Sequence, residues 1–569
     1  EKHQESPVQS WTELMNFVLI SAGLEKDSIH PDTDLDALNP EEIENMLAKT
    51  LEMTQRGAKS YPLNEKPKNK SSVPYRTKYQ SFWQCLAQKL FELKDHLPSS
   101  SAGSAKSRRS TNTVKSNRGV ELMNQLVDYL ASFSSLPSVN VRDAVAEAAL
   151  SLAEGAIPLA NQLKEATITA DRQLHQSSST SLKNPKSKAF AEQKEEYSHD
   201  LNLWSEVISS VFNTIYISRS KDFNEDVRLV CVRHLEQLIR FDVSRPVKTE
   251  YLKYLGWACY DHAHAIRFEA VRAINNLIQD DAIIGSLVNF VLHFMDRFIE
   301  IASCDIDADV SLEMISTMRV MQKQGFLDTV SEDKLDMVDV IIFDPDATSE
   351  MRREALLFLM DHTEGFDLPL EAEEEKGTQK ARSKSSDKKA AKNRPGEFNK
   401  NIAFQLETLT EFAEHNLTPE TVDWSFLLAE ACLETDKAPI LYDWNTAISL
   451  LTKDFEDEEL IAKPLRDIQI AILLQLMLTA AKQVNSQRKQ LEEHGIMKGN
   501  SREKELVNHR WESLNQSLGS KLSSLLTRFK DNDKNLGALT ELLSCCEIST
   551  TMKSSQTLIK SIKDIFLTF

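Results

Sequence analysis

"DVRLVCVRHLEQLI", Asp226 to Ile239, and "AIRFEAVRAINNLI", Ala265 to Ile278, superpose at an offset of 39 residues. Val227, Arg228, Val232, Arg233, Leu235 and Leu238 fall on Ile266, Arg267, Val271, Arg272, Ile274 and Leu277. Apolar residues at steps of five and three place one stripe along a helix. The spacing returns in "DVSLEMISTMRVM" through Val310, Ile315, Met318 and Met321, and more loosely in "EMRREALLFLM" through Met351, Leu356 and Leu359. The matching positions are 227, 266, 310 and 351. A second helix fits before each of the first three: "WSEVISSVFNTIYIS", "EYLKYLGWACYD" and "SLVNFVLHFMDRFIEIAS". Helix pairs repeating at about 40–47 residues mark HEAT or armadillo-type stacks. The fold expected is all-α, a HEAT-repeat superhelical solenoid with disordered interhelical loops.

Working outward, the middle helix "EYLKYLGWACYD" crowds Tyr251, Tyr254, Trp257 and Tyr260 around Gly256. A helix stacked on both sides needs apolar residues all round. Gly256 would admit a neighbouring helix closely, despite costing about 1 kcal/mol in helix propensity. The other reading of these aromatics is a binding surface.

The 569 residues exceed one compact core, so several domains or an elongated repeat array are expected. Glycine (15) and proline (17) are both scarce. The formal charge of −19 excludes a wholly basic nucleic-acid binder but not a local basic patch. Seven cysteines show no CxxC pair or disulfide framework, which points to a reducing compartment. No signal-peptide pattern opens the chain, and the start at Glu1 suggests a piece of a longer protein. The most apolar run, Ile468 to Ala481, reads as a buried helix, interrupted by Gln469 and Gln475 and too short to cross a membrane.

Four segments break the helical pattern: Gly57 to Lys78, Pro98 to Gly119, Ser177 to Lys194 and Gly365 to Lys400. The last is acidic, then strongly basic, with nine Lys or Arg from Lys376 to Lys400 against Asp387 and Glu397. Such a segment can neutralise phosphates without reading sequence, or serve as a solvated loop or nuclear-import signal. Smaller basic clusters lie at Lys66/Lys68/Lys70/Arg76/Lys78, Lys106/Arg108/Arg109 and Lys183/Lys186/Lys188. The organisation expected is a helical region over 1–99, a linker over 100–119 and a long helix pair over 120–200. HEAT repeats over 201–365, the acidic-then-basic loop over 366–400 and further HEAT-type helices over 401–569 follow.

Catalytic signatures are missing. "RGAKSYP" at Arg56 lacks the upstream glycine and strand of a phosphate-binding loop. "DHAH" sets His262 and His264 near Asp261 without further metal-ligand spacing, so these side chains solvate an interhelical turn. No GxSxG, HExxH or kinase signature occurs. A non-enzymatic chain without cofactor or metal is expected.

"YLKYLGWACYD", between "DVRLVCVRHL" and "IRFEAVRAINNLI", resembles the conserved domain of the stromal antigen (stromalin) family, the HEAT-repeat regulatory subunits of cohesin. "LMNFVLISAGL" looks like the family's first helix, and "YPLN" at Tyr61 to Asn64 like its Tyr-Pro-Leu turn. "DAVAEAALSLAEGAIPLANQLKEATITADRQL" resembles the long helix pair that leads to that domain. The resemblance implies a nuclear, chromosome-associated subunit supporting cohesin loading and sister-chromatid cohesion. Its implied partners are double-stranded DNA, the kleisin subunit, and the cohesin loader and regulators, with no membrane.

Family members are longer, so this chain looks like the N-terminal half, with much of the kleisin surface beyond it. For DNA the implied contacts are Arg172, Arg219, Lys221 and Lys253, with Lys380, Arg382, Lys384, Lys388, Lys389, Lys392 and Arg394 as a tether. The family's aromatic peptide-docking pocket maps onto Trp257, with Ser220 at its tyrosine position and His293 at its arginine position. Lys221 keeps a basic neighbour there. A protein-docking solenoid without DNA binding, like a transport receptor or phosphatase scaffold, is the competing reading.

Overall fold

The computed structural model describes residues 6–26, 28–38, 41–48, 61–65, 73–93, 117–178, 185–243, 250–363, 398–417, 423–433, 439–452, 465–493 and 501–546. Every regular element among them is helical. They fall into two units, Glu1–Phe294 and Met295–Phe569.

Unit 1 begins with α1 (Pro7–Ser21), α2 (Tyr75–Glu92) and α3 (Arg118–Ser134). Then come α4 (Val139–Ser178), α5 (Pro185–Val211), α6 (Glu225–Val243), α7 (Leu252–Ala258), α8 (His264–Ile278) and the start of α9 (Ile284–Cys304). α4 is the centre, packed by α1, α2, α3, α5 and α6. Its stretch from Val141 to Ala153 is rich in alanine, and Ala144, Ala146, Ala148 and Ala149 are fully buried. Small side chains let several helices approach one axis at once. At Gly155 the approach is close, because a Cβ there would lie 2.7 Å from the Gln84 backbone.

α4 also buries charge. Arg76 of α2 pairs with Asp143 at 2.7 Å and Glu147 at 2.5 Å, while His234 of α6 reaches Glu147 at 2.9 Å and Glu154 at 2.8 Å. Tyr61, before a 3-10 turn at Pro62–Asn64, donates to Asp143. Isolated, these carboxylates would pay a large desolvation cost, which Arg76, His234 and hydrogen-bond donors offset; at Asp143 burial still prevails and raises the carboxyl above its ordinary value. Burial disfavours the charge on Glu147, but His234 and Arg76 outweigh it and hold its pKa at about 2. Burial likewise opposes charge on His234, and Glu154 and Glu147 overcome it, pushing its pKa up to about 10.

The repeat positions acquire a mechanism here. Arg228 donates from Nη1 to the carbonyls of Asp222 and Phe223 at 2.8 and 3.2 Å, and Arg267 does the same to Asp261 and His262 at 2.8 and 3.0 Å. Each guanidinium thus closes the turn before its own helix. Arg142 and Arg228 also reach forward, to Asp222 and Asp261 respectively, each through two parallel hydrogen bonds. Those aspartates in turn accept the backbone N–H two residues on, at 3.0 Å from Asn224 and 2.9 Å from Ala263. At these two boundaries one Arg–Asp contact therefore fixes both turn and stacking.

Unit 2 continues α9 with α10 (Ala308–Lys323), α11 (Glu332–Asp339), α12 (Ser349–His362), α13 (Lys400–Asn416) and α14 (Trp424–Leu433). It ends with α15 (Trp444–Thr452), α16 (Asp467–Glu493), α17 (Ser501–Phe529) and α18 (Asp533–Ser544). Asp307, Thr348, Asn399 and Asn532 cap α10, α12, α13 and α18 with side-chain oxygens. At the repeat arginine position α10 carries Ser311, whose hydroxyl donates to the Ile301 carbonyl at 3.0 Å. Arg319 compensates further along, bonding Glu354 and Asp361 of α12 at 2.7 Å each.

Several expectations change. The fourth repeat does have a first helix, α11, too short and polar to stand out in the sequence. α2 starts at Tyr75 and α5 at Pro185, inside segments read as linkers, and Arg76 belongs to the buried ion cluster rather than to a solvated basic loop. The Ile468–Ala481 run lies in a 27-residue helix, not one too short to span a bilayer. By length and composition α16 is apolar enough to cross a membrane (mean hydropathy 1.2), yet 61% of that stretch is buried, against α13, α14, α15, α17 and α18. Most of the basic segment, residues 376–397, lies outside the described residues.

Candidate functional site

The aromatics around Gly256 divide into two sets. α5 ends in a π-helical turn, Phe212–Tyr216, whose extra residue per turn shifts the side chains that follow. Phe212 stacks on Tyr216 with centroids 4.6 Å apart and on Tyr251 at 3.6 Å. Tyr254 stands edge-on to Tyr216 at 5.5 Å and to Trp257 at 5.1 Å. The series runs from core to surface: Tyr216 is 1% exposed, Trp257 50% and Tyr260 58%. Gly256 is buried, and the Phe294 ring of α9 occupies the place its Cβ would take. So this helix is both sandwiched and a surface.

Beside Trp257 lies a cleft of about 100 Å³. Ser220, Lys221 and Tyr254 line it with the indole, together with buried Val232 and Ile266 and the Arg228–Asp261 pair. Burial opposes ionisation of Asp261, but its hydrogen bonds from Arg228 and the Ala263 N–H hold the carboxyl below the usual range. The pair stays charged, so the cleft brings together the cations Lys221 and Arg228, the anion Asp261 and the rings of Tyr216, Tyr254 and Trp257. Lys253 sits above the rim, its Nζ 5.3 Å from the Tyr254 ring centroid and 5.9 Å from that of Trp257. At that distance a cation is held by the ring face at small cost and stays available to an anion.

The expected residues are thus partly assembled. Ser220, Lys221, Lys253 and Trp257 share one face of unit 1, with Lys221 and Lys253 exposed. Arg219 does not join them: its side chain is only 16% exposed and donates to Asp222 at 2.6 Å, so its charge serves an internal pair. His293 is exposed on α9 against Phe294 and does not line the cleft. Arg172 is exposed on α4, away from the cleft lining. Lys380, Arg382, Lys384, Lys388, Lys389, Lys392 and Arg394 lie outside the described residues.

Arg228 and Asp261 line the cleft as well and were not singled out from sequence as site residues. Phe223 also escaped notice: it is 78% exposed, under the Arg142 guanidinium at 4.6 Å. The available signal was an aromatic after the turn aspartate in "KDFNED". Among the described residues no group of three or more His, Cys, Asp or Glu is placed to hold a metal ion.

Residues 221–295, which hold most of this cleft's lining, match the family described as "Stromalin conservative domain". Residues 433–568 match "Cohesin subunit SCC3/SA, HEAT-repeats domain". Over 370 residues, 64% of this chain, it is 22% identical to "Sister-chromatid cohesion protein 3" of Arabidopsis thaliana, covering 30% of that protein. It is 20% identical to "Cohesin subunit SA-3" of Rattus norvegicus over 439 residues, 75% of this chain and 32% of that one. The chain therefore spans less than two thirds of the length of these relatives. The solved structure of "Cohesin subunit Scc3 from Z. rouxii, 88-1035" superposes with a TM-score of 0.67 and 15% identity, covering 100% of this chain and 60% of that one. That likeness establishes the fold, an all-α HEAT-repeat solenoid. The two family matches support a cohesin subunit of the stromal antigen (stromalin) type, and the fold agrees with them.

Proposed function

We propose that this cohesin scaffold subunit binds double-stranded DNA through basic surfaces and docks the kleisin subunit and regulators without catalysing a reaction. In this reading it acts on chromosomes in the nucleus, supporting cohesin loading and sister-chromatid cohesion. The observation that carries the DNA reading is the pairing of exposed Lys221 and Lys253 on one face, while many of the nearby arginines are consumed in internal pairs. Lysines free of carboxylates are the residues that can release counterions from a phosphate backbone. The basic residues from Lys376 to Lys400 would add a sequence-independent tether.

The half-exposed Trp257 beside its cleft supports docking of an aromatic-containing peptide at the same face. Fluorescence anisotropy with a duplex of about 30 base pairs, titrated from about 50 to 200 mM salt, tests the DNA role. Steeply salt-dependent binding supports it. No binding at low salt leaves a protein-docking solenoid.

A further inference from the structure

In unit 2, α11 ends on a carboxylate buried with a single countercharge. The Asp339 side chain is 1% exposed, and its Oδ2 lies 3.1 Å from Nε2 of His362, the last residue of α12. Neither Asp339 oxygen makes a well-aligned hydrogen bond among the described residues, so the ion-pair contact to His362 is what offsets its burial. The opposite ring nitrogen, Nδ1, is 2.7 Å from the Phe358 carbonyl, which can only accept, so Nδ1 carries a proton. Nε2 and Oδ2 would then repel as bare lone pairs. A second proton, on the imidazole or on the carboxyl, removes that repulsion.

We infer that the Asp339–His362 pair is a proton-dependent latch that fastens the C-terminal turn of α12 to the end of α11 and loosens as pH rises. The remaining charges nearby leave it no substitute. Asp336 is the other charge that acts on both partners, and it is an anion. The turn Val340–Phe343 after α11 has no titratable side chain. On α12, Asp361 is taken by Arg319 of α10 and Arg352 is taken by Glu430 of α14. Cys432 of α14 is buried and held neutral, its thiol pushed up to about 12.

Both partners titrate in the same sense. Burial raises the Asp339 carboxyl to about 6, so its ionisation costs stability as pH rises from the ordinary carboxylate range. Burial lowers the imidazole, but Asp339 outweighs it and raises His362 above its ordinary value, so its stabilisation is lost as pH passes that raised value. Once the shared proton leaves, a buried carboxylate has no countercharge, and the contact opens.

Hydrogen exchange of the full chain from about pH 6 to pH 9, corrected for intrinsic rates, reads the latch over residues 354–363. Protection there should fall by up to about tenfold per pH unit above the histidine titration, the limit for one linked proton. The α8 segment, residues 264–278, is the internal reference and should not change. Asp339→Asn should abolish the pH dependence, because its amide donates to neutral Nε2. His362→Gln should leave the segment weakly protected at every pH. Equal protection of the native chain at pH 6 and 9, an unchanged slope in Asp339→Asn, or native behaviour in His362→Gln would each overturn the latch.

Discussion

The Arg228 guanidinium grips Asp261 across a repeat boundary, Nε to Oδ2 at 2.7 Å and Nη2 to Oδ1 at 2.8 Å. The same guanidinium closes its own turn on Asp222 and Phe223, so one side chain specifies both the corner and its stacking partner. Arg228→Ala strands a largely buried carboxylate and should cost about 3–5 kcal/mol. Arg228→Lys should recover little of this, because an ammonium cannot make the two-pronged contact. Urea melts of the three proteins check the order.

Gly256 and Phe294 form a knob-and-hollow contact between α7 and α9. Gly256→Ala should destabilise by about 1–3 kcal/mol, as expected for overpacking a filled site. Phe294→Leu opens space there, so the alanine should cost less in that background. A double-mutant cycle in which the two changes simply add would contradict the contact.

The buried ions around α4 predict a stability plateau. Glu147 drops from 4.5 to about 2 in the fold, so its contribution is present above pH 4.5 and is lost as pH falls toward 2. His234 rises from 6.5 to about 10, so its contribution is full below pH 6.5 and is lost as pH climbs through 10. Stability of unit 1 should therefore be greatest between these two limits. His234→Gln should remove the alkaline limb, measured as the melting temperature against pH.

Trp257 and Trp204 should respond oppositely to truncation. Trp204 is fully buried, and Trp204→Ala should cost about 3–5 kcal/mol. Trp257 leaves half its surface in water, so Trp257→Ala should cost far less while weakening any aromatic peptide bound in the cleft. Thermal melts together with peptide titration separate the two effects.

What was legible in the sequence follows physical range. The repeat stood out because one helix face must be apolar at each stacking step, and Val227 and Ile266 report that locally. The arginines one residue on were visible as matches, but their partners were not, since Arg228 and Asp261 are 33 residues apart. The Asp143–Glu147–His234 cluster was invisible for the same reason, since Glu147 and His234 are 87 positions apart. Arg219 and Lys221 read alike as basic residues. Only the π turn and Asp222 decide that one points inward and the other out. At Gly256 the requirement for close approach was readable, while the identity of the intruding Phe294 was not.

The most direct test of the functional account compares duplex binding by the native chain and by Lys221→Gln/Lys253→Gln, as log affinity against log salt. Each phosphate contact contributes about 0.9 to the slope, so the double variant should bind more weakly with a slope shallower by about two. Equal affinity and slope for the two proteins would contradict the assignment of DNA contacts to this face of the conserved domain.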